Sequence, residues 1–220
     1  MIKFTKSEIR DLIISFIILT IAFAISNVGL DVRGFISILP IIMVGVGFGF
    51  MLREIGHKFG AMKYGYRAEF KAWPLGLLIA LVSAFIGFVF AAPGEIKVFA
   101  DNLSEEILGK IAVAGPMANI LLALISLTIA ALTAPLKSHS IIFELIFLMS
   151  GVGYSVNSFL AAFNLIPVYS LDGIKVIKWN VGVWLVLFAL SVIMMLLSIT
   201  IGVENMVRFI IDNHLIHPIS

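Results

Sequence analysis

Apolar residues in this chain arrive in long unbroken runs. The first, LIISFIILTIAFAISNVGL at residues 12–30, is 19 residues long. As a helix it would reach about 28 Å, enough to cross the hydrocarbon core of a bilayer. A second run, GFISILPIIMVGVGFGFML at 34–52, predicts a helix that continues to about Tyr64, so a span over 34–64; Gly45, Gly47 and Gly49 along it invite close helix packing. Residues 75–92 are apolar but marginal in length. A polar stretch follows, in which Glu95 to Ala100 alternates as a short strand does. Further spans are expected over 111–134 and 181–202, the latter followed by a polar tail. The run over 141–171 covers 31 positions. That is about 46 Å if wholly helical, too long for one upright span, and Asn164-Leu165-Ile166-Pro167 suggests that the helix ends before Leu171-Asp172-Gly173.

Composition agrees with this pattern. Of 220 residues, 61% are hydrophobic and 13% charged, against roughly 25% charged in a soluble domain. The expected fold is an all-α polytopic membrane protein: one transmembrane domain over 1–220, a bundle of about five to six helices with a re-entrant segment and a short β-strand region. No soluble stretch is long enough to form its own core. The net charge of +2 is uninformative, and the absence of cysteine excludes disulfides, thiolate catalysis and Cys-ligated zinc. Nothing points to nucleic acid; the bilayer is the expected environment. Lys3, Lys6 and Arg10 before the first run could open a signal peptide, but Glu8 and Asp11 among them and the continuation past Ala24 favour a retained span.

Basic residues bear on whether 75–92 crosses the membrane. Full crossing divides Lys and Arg ten against five between the two sides, whereas a segment that dips in and returns divides them twelve against three. Re-entry is therefore preferred, with a cytoplasmic N-terminus. It also places His57 and Asp172 on the same side of the membrane, and re-entrant backbone needs a cavity or protein around it.

Arg53, Glu54 and His57, in MLREIGHKFGAMKYG at 51–65, interrupt or follow an apolar span, where ionisable groups are costly and mark a site by default. Lys58 and Lys63 read as ordinary topology signals. Asp172 alone would be a turn residue; paired with Glu54 and His57 on one membrane face it becomes a site candidate. Asn119 and Asn164, amides within apolar runs, fit either interhelical hydrogen bonding or a functional role.

Three motifs carry a resemblance. Glu54-Ile-Gly-His57 followed by Lys-Phe-Gly-Ala, A-G-P-M-A-N at 114–119 and N-L-I-P-V-Y-S-L-D-G at 164–173 together resemble the site-2 protease family of intramembrane zinc metalloproteases. That resemblance implies zinc held by two histidines of a helical H-E-x-x-H motif and by an aspartate, with the motif glutamate as general base on a metal-bound water. By position it carries a zinc ligand onto His57, the base onto Glu54, the aspartate ligand onto Asp172 and a substrate- or oxyanion-binding role onto Asn164. Asn119 also belongs with the substrate-binding candidates. Substrates would be transmembrane or membrane-embedded proteins, and the strand around Ile96 and Val98 would bind them by β-augmentation.

The departure is Arg53, which stands at the first ligand position. A guanidinium has no lone pair to offer a metal. Zinc would keep His57 and Asp172, whereas a catalytic centre normally uses three protein ligands and a water. The other histidines, His139, His214 and His217, are expected on the opposite side from His57. Residues 53 and 57 share a helix face, so Arg53 is expected to form an ion pair with Asp172 in place of the metal. Ser170, where relatives often carry Pro, is a minor departure. Two versions of the family reading stand, an active enzyme with an unusual site and a pseudoprotease that binds membrane clients without cutting them. A small transporter or proton or ion relay using Glu54, His57 and Asp172 is the alternative outside the family.

Overall fold

The computed structural model describes residues 4–100, 103–168 and 171–216, with side chains described to residue 212. Five helices are long and apolar enough to cross a membrane: α1 (Lys6–Val28), α2 (Val32–Lys63), α4 (Glu105–Thr133), α5 (Ile141–Asn164) and α7 (Val181–Thr200). Helices suit these runs because backbone groups in lipid must be satisfied within the segment. Each begins at a side chain that accepts an otherwise orphan N–H: Thr5, Asp31, Ser104, Ser140 and Asn180.

Between α2 and α4 the chain forms β1 (Arg67–Ala72), α3 (Pro74–Ala84) and β2 (Gly94–Phe99). The two strands pair antiparallel, Arg67 opposite Phe99 through Ala72 opposite Gly94. The Trp73 N–H donates to the Pro93 carbonyl at 2.8 Å. The ends of segment 75–92 therefore lie side by side. It runs outward as α3, turns at Gly87, whose φ of 78° favours glycine, and comes back to the sheet. The segment thus leaves the sheet and returns to it.

Small residues set the bundle's spacing. Gly45 meets α5 at Val152 and Gly153, Gly49 meets Asn157 and Leu160, and Gly56 and Gly60 lie against Ala114 and Ile111 of α4. Helices α2, α4 and α5 thus approach closely, as small residues permit.

Several expectations need correction. Residues 67–72 form a strand that the hydropathy pattern did not announce. The long run over 141–171 ends as helix at Asn164, as its Asn-Leu-Ile-Pro stretch suggested, but the chain then re-forms a helix, α6 (Asp172–Trp179). The polar tail is helical, as α8 (Val203–Ile216), and its buried Val207 packs with Ala130 and Phe147. Ser170, His217 and the side chain of His214 lie outside the described residues.

Candidate functional site

The last turns of α2 carry Arg53, Glu54 and His57 into the interior, 6%, 3% and 3% exposed. Asn164, the last residue of α5, and Asp172, the first of α6, come to meet them, 1% and 5% exposed. Breaking the helix between 164 and 172 is what lets one stretch of chain deliver both side chains. The break is held by the Trp184 indole, which donates to the Leu165 carbonyl at 2.8 Å. Gly173 is required there, because a Cβ would collide with the Leu165 carbonyl.

Arg53 is the centre of the cluster. Its guanidinium donates to Asp172 Oδ2 at 2.6 Å, to Asn164 Oδ1 at 2.9 Å and to the neighbouring Glu54 carboxylate. The expected Arg53–Asp172 pair is therefore present, across a separation of 119 residues. His57 is fixed from behind. Its Nδ1 lies 3.1 Å from the Ile111 carbonyl oxygen, and since a carbonyl only accepts, Nδ1 carries the hydrogen. Nε2 then faces Asp172 Oδ2 at 3.2 Å without hydrogen-bond alignment. Burial alone would raise the Asp172 carboxyl, but His57 and Arg53 outweigh it and hold the group well below the usual carboxylate range.

The cluster can be tested as a zinc centre from its donor chemistry. The orientation of His57, with Nδ1 tied to a carbonyl and Nε2 turned inward, is that of an imidazole ligand. Every other feature opposes a metal. The Asp172 oxygen facing His57 is already bound by a guanidinium, and the position that should supply a second imidazole supplies a fixed positive charge. Glu54 is bound to that same cation. Among the described residues no group of three His, Cys, Asp or Glu side chains is arranged to hold a metal ion. His139 follows the C-terminal end of α4, whereas His57 packs on Ile111 near its start. About 20 helical residues, or roughly 30 Å, separate them. The residues present do not fit zinc; they form a cation-centred tie between α2, α5 and α6.

The remaining site candidates sit nearby in different settings. Asn119 is fully buried and donates to the Gly49 carbonyl at 3.1 Å and to Asn157 Oδ1 at 2.9 Å, joining α4 to α2 and α5; its own Oδ1 has no partner. Ile96 and Val98 point inward, against Ala61, Ala68 and Ile111. On the other side of the sheet, the edge of β1 is taken. The Phe70 N–H donates to Glu8 at 3.1 Å and the Ala72 N–H to Asp11 at 3.3 Å. The edge of β2 has no strand partner among the described residues.

Two contributors escaped the sequence reading. Gly115, inside the A-G-P-M-A-N motif, lies where a Cβ would strike the His57 ring, so glycine is what lets α4 back this histidine. The motif itself was the signal. Ile111 acts through its carbonyl, for which no side-chain signal exists. Lys58 needs correction: it is not an ordinary topology residue but is buried, 2.6 Å from Glu8 of α1.

No family model matches the chain, and no solved structure matches it. A protein of Methanocaldococcus jannaschii named "putative zinc metalloprotease" is 37% identical over 183 residues, which are 83% of this chain and 89% of that protein. At that identity and coverage, on a bundle carrying Glu54, His57 and Asp172 in one cluster, the chain belongs to this zinc metalloprotease family.

Proposed function

We propose that the chain is a site-2-protease-like intramembrane scaffold that binds membrane-spanning clients without hydrolysing them. The observation that carries this reading is the Arg53 guanidinium, held between Asp172, Asn164 and Glu54. Hydrolysis in this family needs a cleft where a metal and a free carboxylate act on water. Here one oxygen of each carboxylate is held by a permanent cation. Arg53 keeps the mechanical part of a metal's role, joining α2 to α6, and removes the chemical part. Zinc is thus the family's cofactor and not this chain's.

Client binding draws support from the sheet. Glu8 and Asp11 close one edge, leaving the backbone of β2 as the edge at which an unwound client segment adds a strand. On this reading the N-terminus, the sheet and the buried cluster lie at the cytoplasmic face, in keeping with the distribution of Lys and Arg. A second reading, proteolysis by the native chain, is favoured by the name of the relative.

One experiment separates them. A photo-crosslinker placed at the exposed Lys97 of β2 is reconstituted with a single-span reporter. The expected result is capture of intact reporter and no fragments from the native chain, with fragments from an Arg53→His variant supplied with zinc. Metal-dependent fragments from the native chain would overturn the proposal.

A further inference from the structure

A cavity of about 620 Å³ opens at the sheet-bearing end of the bundle, between the strand ends, the start of α4 and α6. Four lysines line it, Lys71, Lys97, Lys175 and Lys178, with two acids, Glu95 and Glu105. Lys178 is matched by Glu105 at 3.2 Å. Lys71, Lys97 and Lys175 make no ion pair among the described residues, which leaves the cavity with surplus positive charge. Its remaining wall is apolar: Trp73, Ala92, Leu108 and Ile174.

The position of the cavity limits what it would take. Trp73 marks the point where the sheet gives way to the apolar hairpin that begins at Pro74. Following it in the chain, Leu75, Leu78 and Val82 form an exposed stripe on α3, 55%, 57% and 63% accessible. Positions three and four apart on a helix share a face, and such a face on a membrane bundle meets acyl chains. Lysines, then an indole, then an exposed apolar stripe is the order of layers at a bilayer interface. A soluble acidic peptide would match the lysines but not the stripe. A phospholipid matches both.

We propose that this cleft binds the phosphate of an anionic phospholipid headgroup through Lys71, Lys97 and Lys175, with an acyl chain along α3. The cleft adjoins the Arg53 cluster, since Lys175 follows Asp172 by one turn of α6, but the proposal does not depend on whether the chain hydrolyses its clients. Basic pockets between membrane helices recognise such headgroups.

The test is native mass spectrometry of the intact protein, titrated with phosphatidylglycerol or with phosphatidylcholine. The expected result is one retained phosphatidylglycerol, preferred roughly tenfold or more. The preference should vanish in the triple variant K71Q/K97Q/K175Q and in the single variant Lys97→Glu. It should persist in K6Q/K63Q/R208Q, which removes as much charge from exposed positions elsewhere. Equal loss in both triple variants would reduce the effect to general surface charge and overturn the proposal. So would displacement by millimolar inorganic phosphate without lipid preference, which identifies a soluble-anion site, or equal competition by a poly-glutamate peptide, which identifies a polypeptide site.

Discussion

Helix α2 buries two cations five residues apart, Arg53 and Lys58, and surrounds them differently. Lys58 meets Glu8 at 2.6 Å and lies 4.1 Å over the Phe4 ring. Glu8 in turn accepts from the Phe70 and Thr5 backbone N–H groups, so both of its oxygens are used. Arg53 meets two carboxylates and an amide, yet Arg53 Nε, Glu54 Oε2 and His57 Nε2 have no hydrogen-bond partner. Native structures rarely leave buried polar atoms unsatisfied, and where they do the group usually has another purpose. The Lys58 knot is a finished joint that fastens α1 and the sheet to α2. The Arg53 knot keeps buried donors and acceptors unused, which the proposed reading attributes to a catalytic site filled by an arginine.

That contrast can be broken most severely at Glu8. Replacing it with Ala strands the Lys58 cation and two N–H groups, with an expected loss of about 3–5 kcal/mol in unfolding free energy. The double variant E8Q/K58M should recover most of it, because an uncharged pair leaves no stranded ion. Equal losses in the single and double variants would show that charge pairing is not what Lys58 supplies. Arg53→Lys should cost less, about 2 kcal/mol, since an ammonium cannot bridge Asp172, Asn164 and Glu54 as the guanidinium fork does. Chemical unfolding in detergent measures both, and a neutral Arg53→Lys would mean that the fork contributes no tie.

Smaller effects calibrate the comparison. Asn119→Ala removes an uncharged tie of α4 to α2 and α5 and should cost about 1 kcal/mol, the scale of interhelical hydrogen bonds in membranes. A loss as large as that of Glu8→Ala would place the bundle's main joint at Asn119 instead. The exposed Lys137–Glu204 pair, 2.7 Å apart, should matter least. Hydrogen bonding to and attraction by Lys137 hold Glu204 below the ordinary 4.5. Its contribution is therefore full above that value and lost as pH falls through the lowered one. Thermal midpoints of native protein and Glu204→Gln should then differ slightly at pH 7, converge as pH falls through the lowered value, and draw together in high salt. A difference that grows on acidification would contradict the sign.

The two knots also differ in how far the sequence announced them. Arg53, Glu54 and His57 stand out because charge interrupts an apolar run, and 53 and 57 share a helix face. The motif at 164–173 supplied the distant partner, so the Arg53–Asp172 pair could be anticipated. Nothing comparable marks Glu8 and Lys58. Each lies beside other charged residues at a span's end, where a solvated side chain is the ordinary outcome, and only the approach of α1 to α2 buries them. The strand at 67–72 was hidden for a similar reason. Its sequence, RAEFKA, is stabilised by β2 on one edge and by the carboxylates of Glu8 and Asp11 on the other. In the C-terminal helix the signal was present and passed over: Val203, Val207 and Ile211 recur every four residues and form its packed face. The distribution of lysines and arginines favoured a returning path for 75–92, and the strand pairing that joins Ala72 to Gly94 brings its two ends together.

All of this turns on whether Arg53 has taken the metal's place. The direct measurement is zinc content per chain in protein purified with zinc present, native against Arg53→His. The expected result is no bound zinc in the native chain and stoichiometric zinc in the variant, where an imidazole joins His57 and Asp172. Stoichiometric zinc in the native protein would contradict the account at its centre.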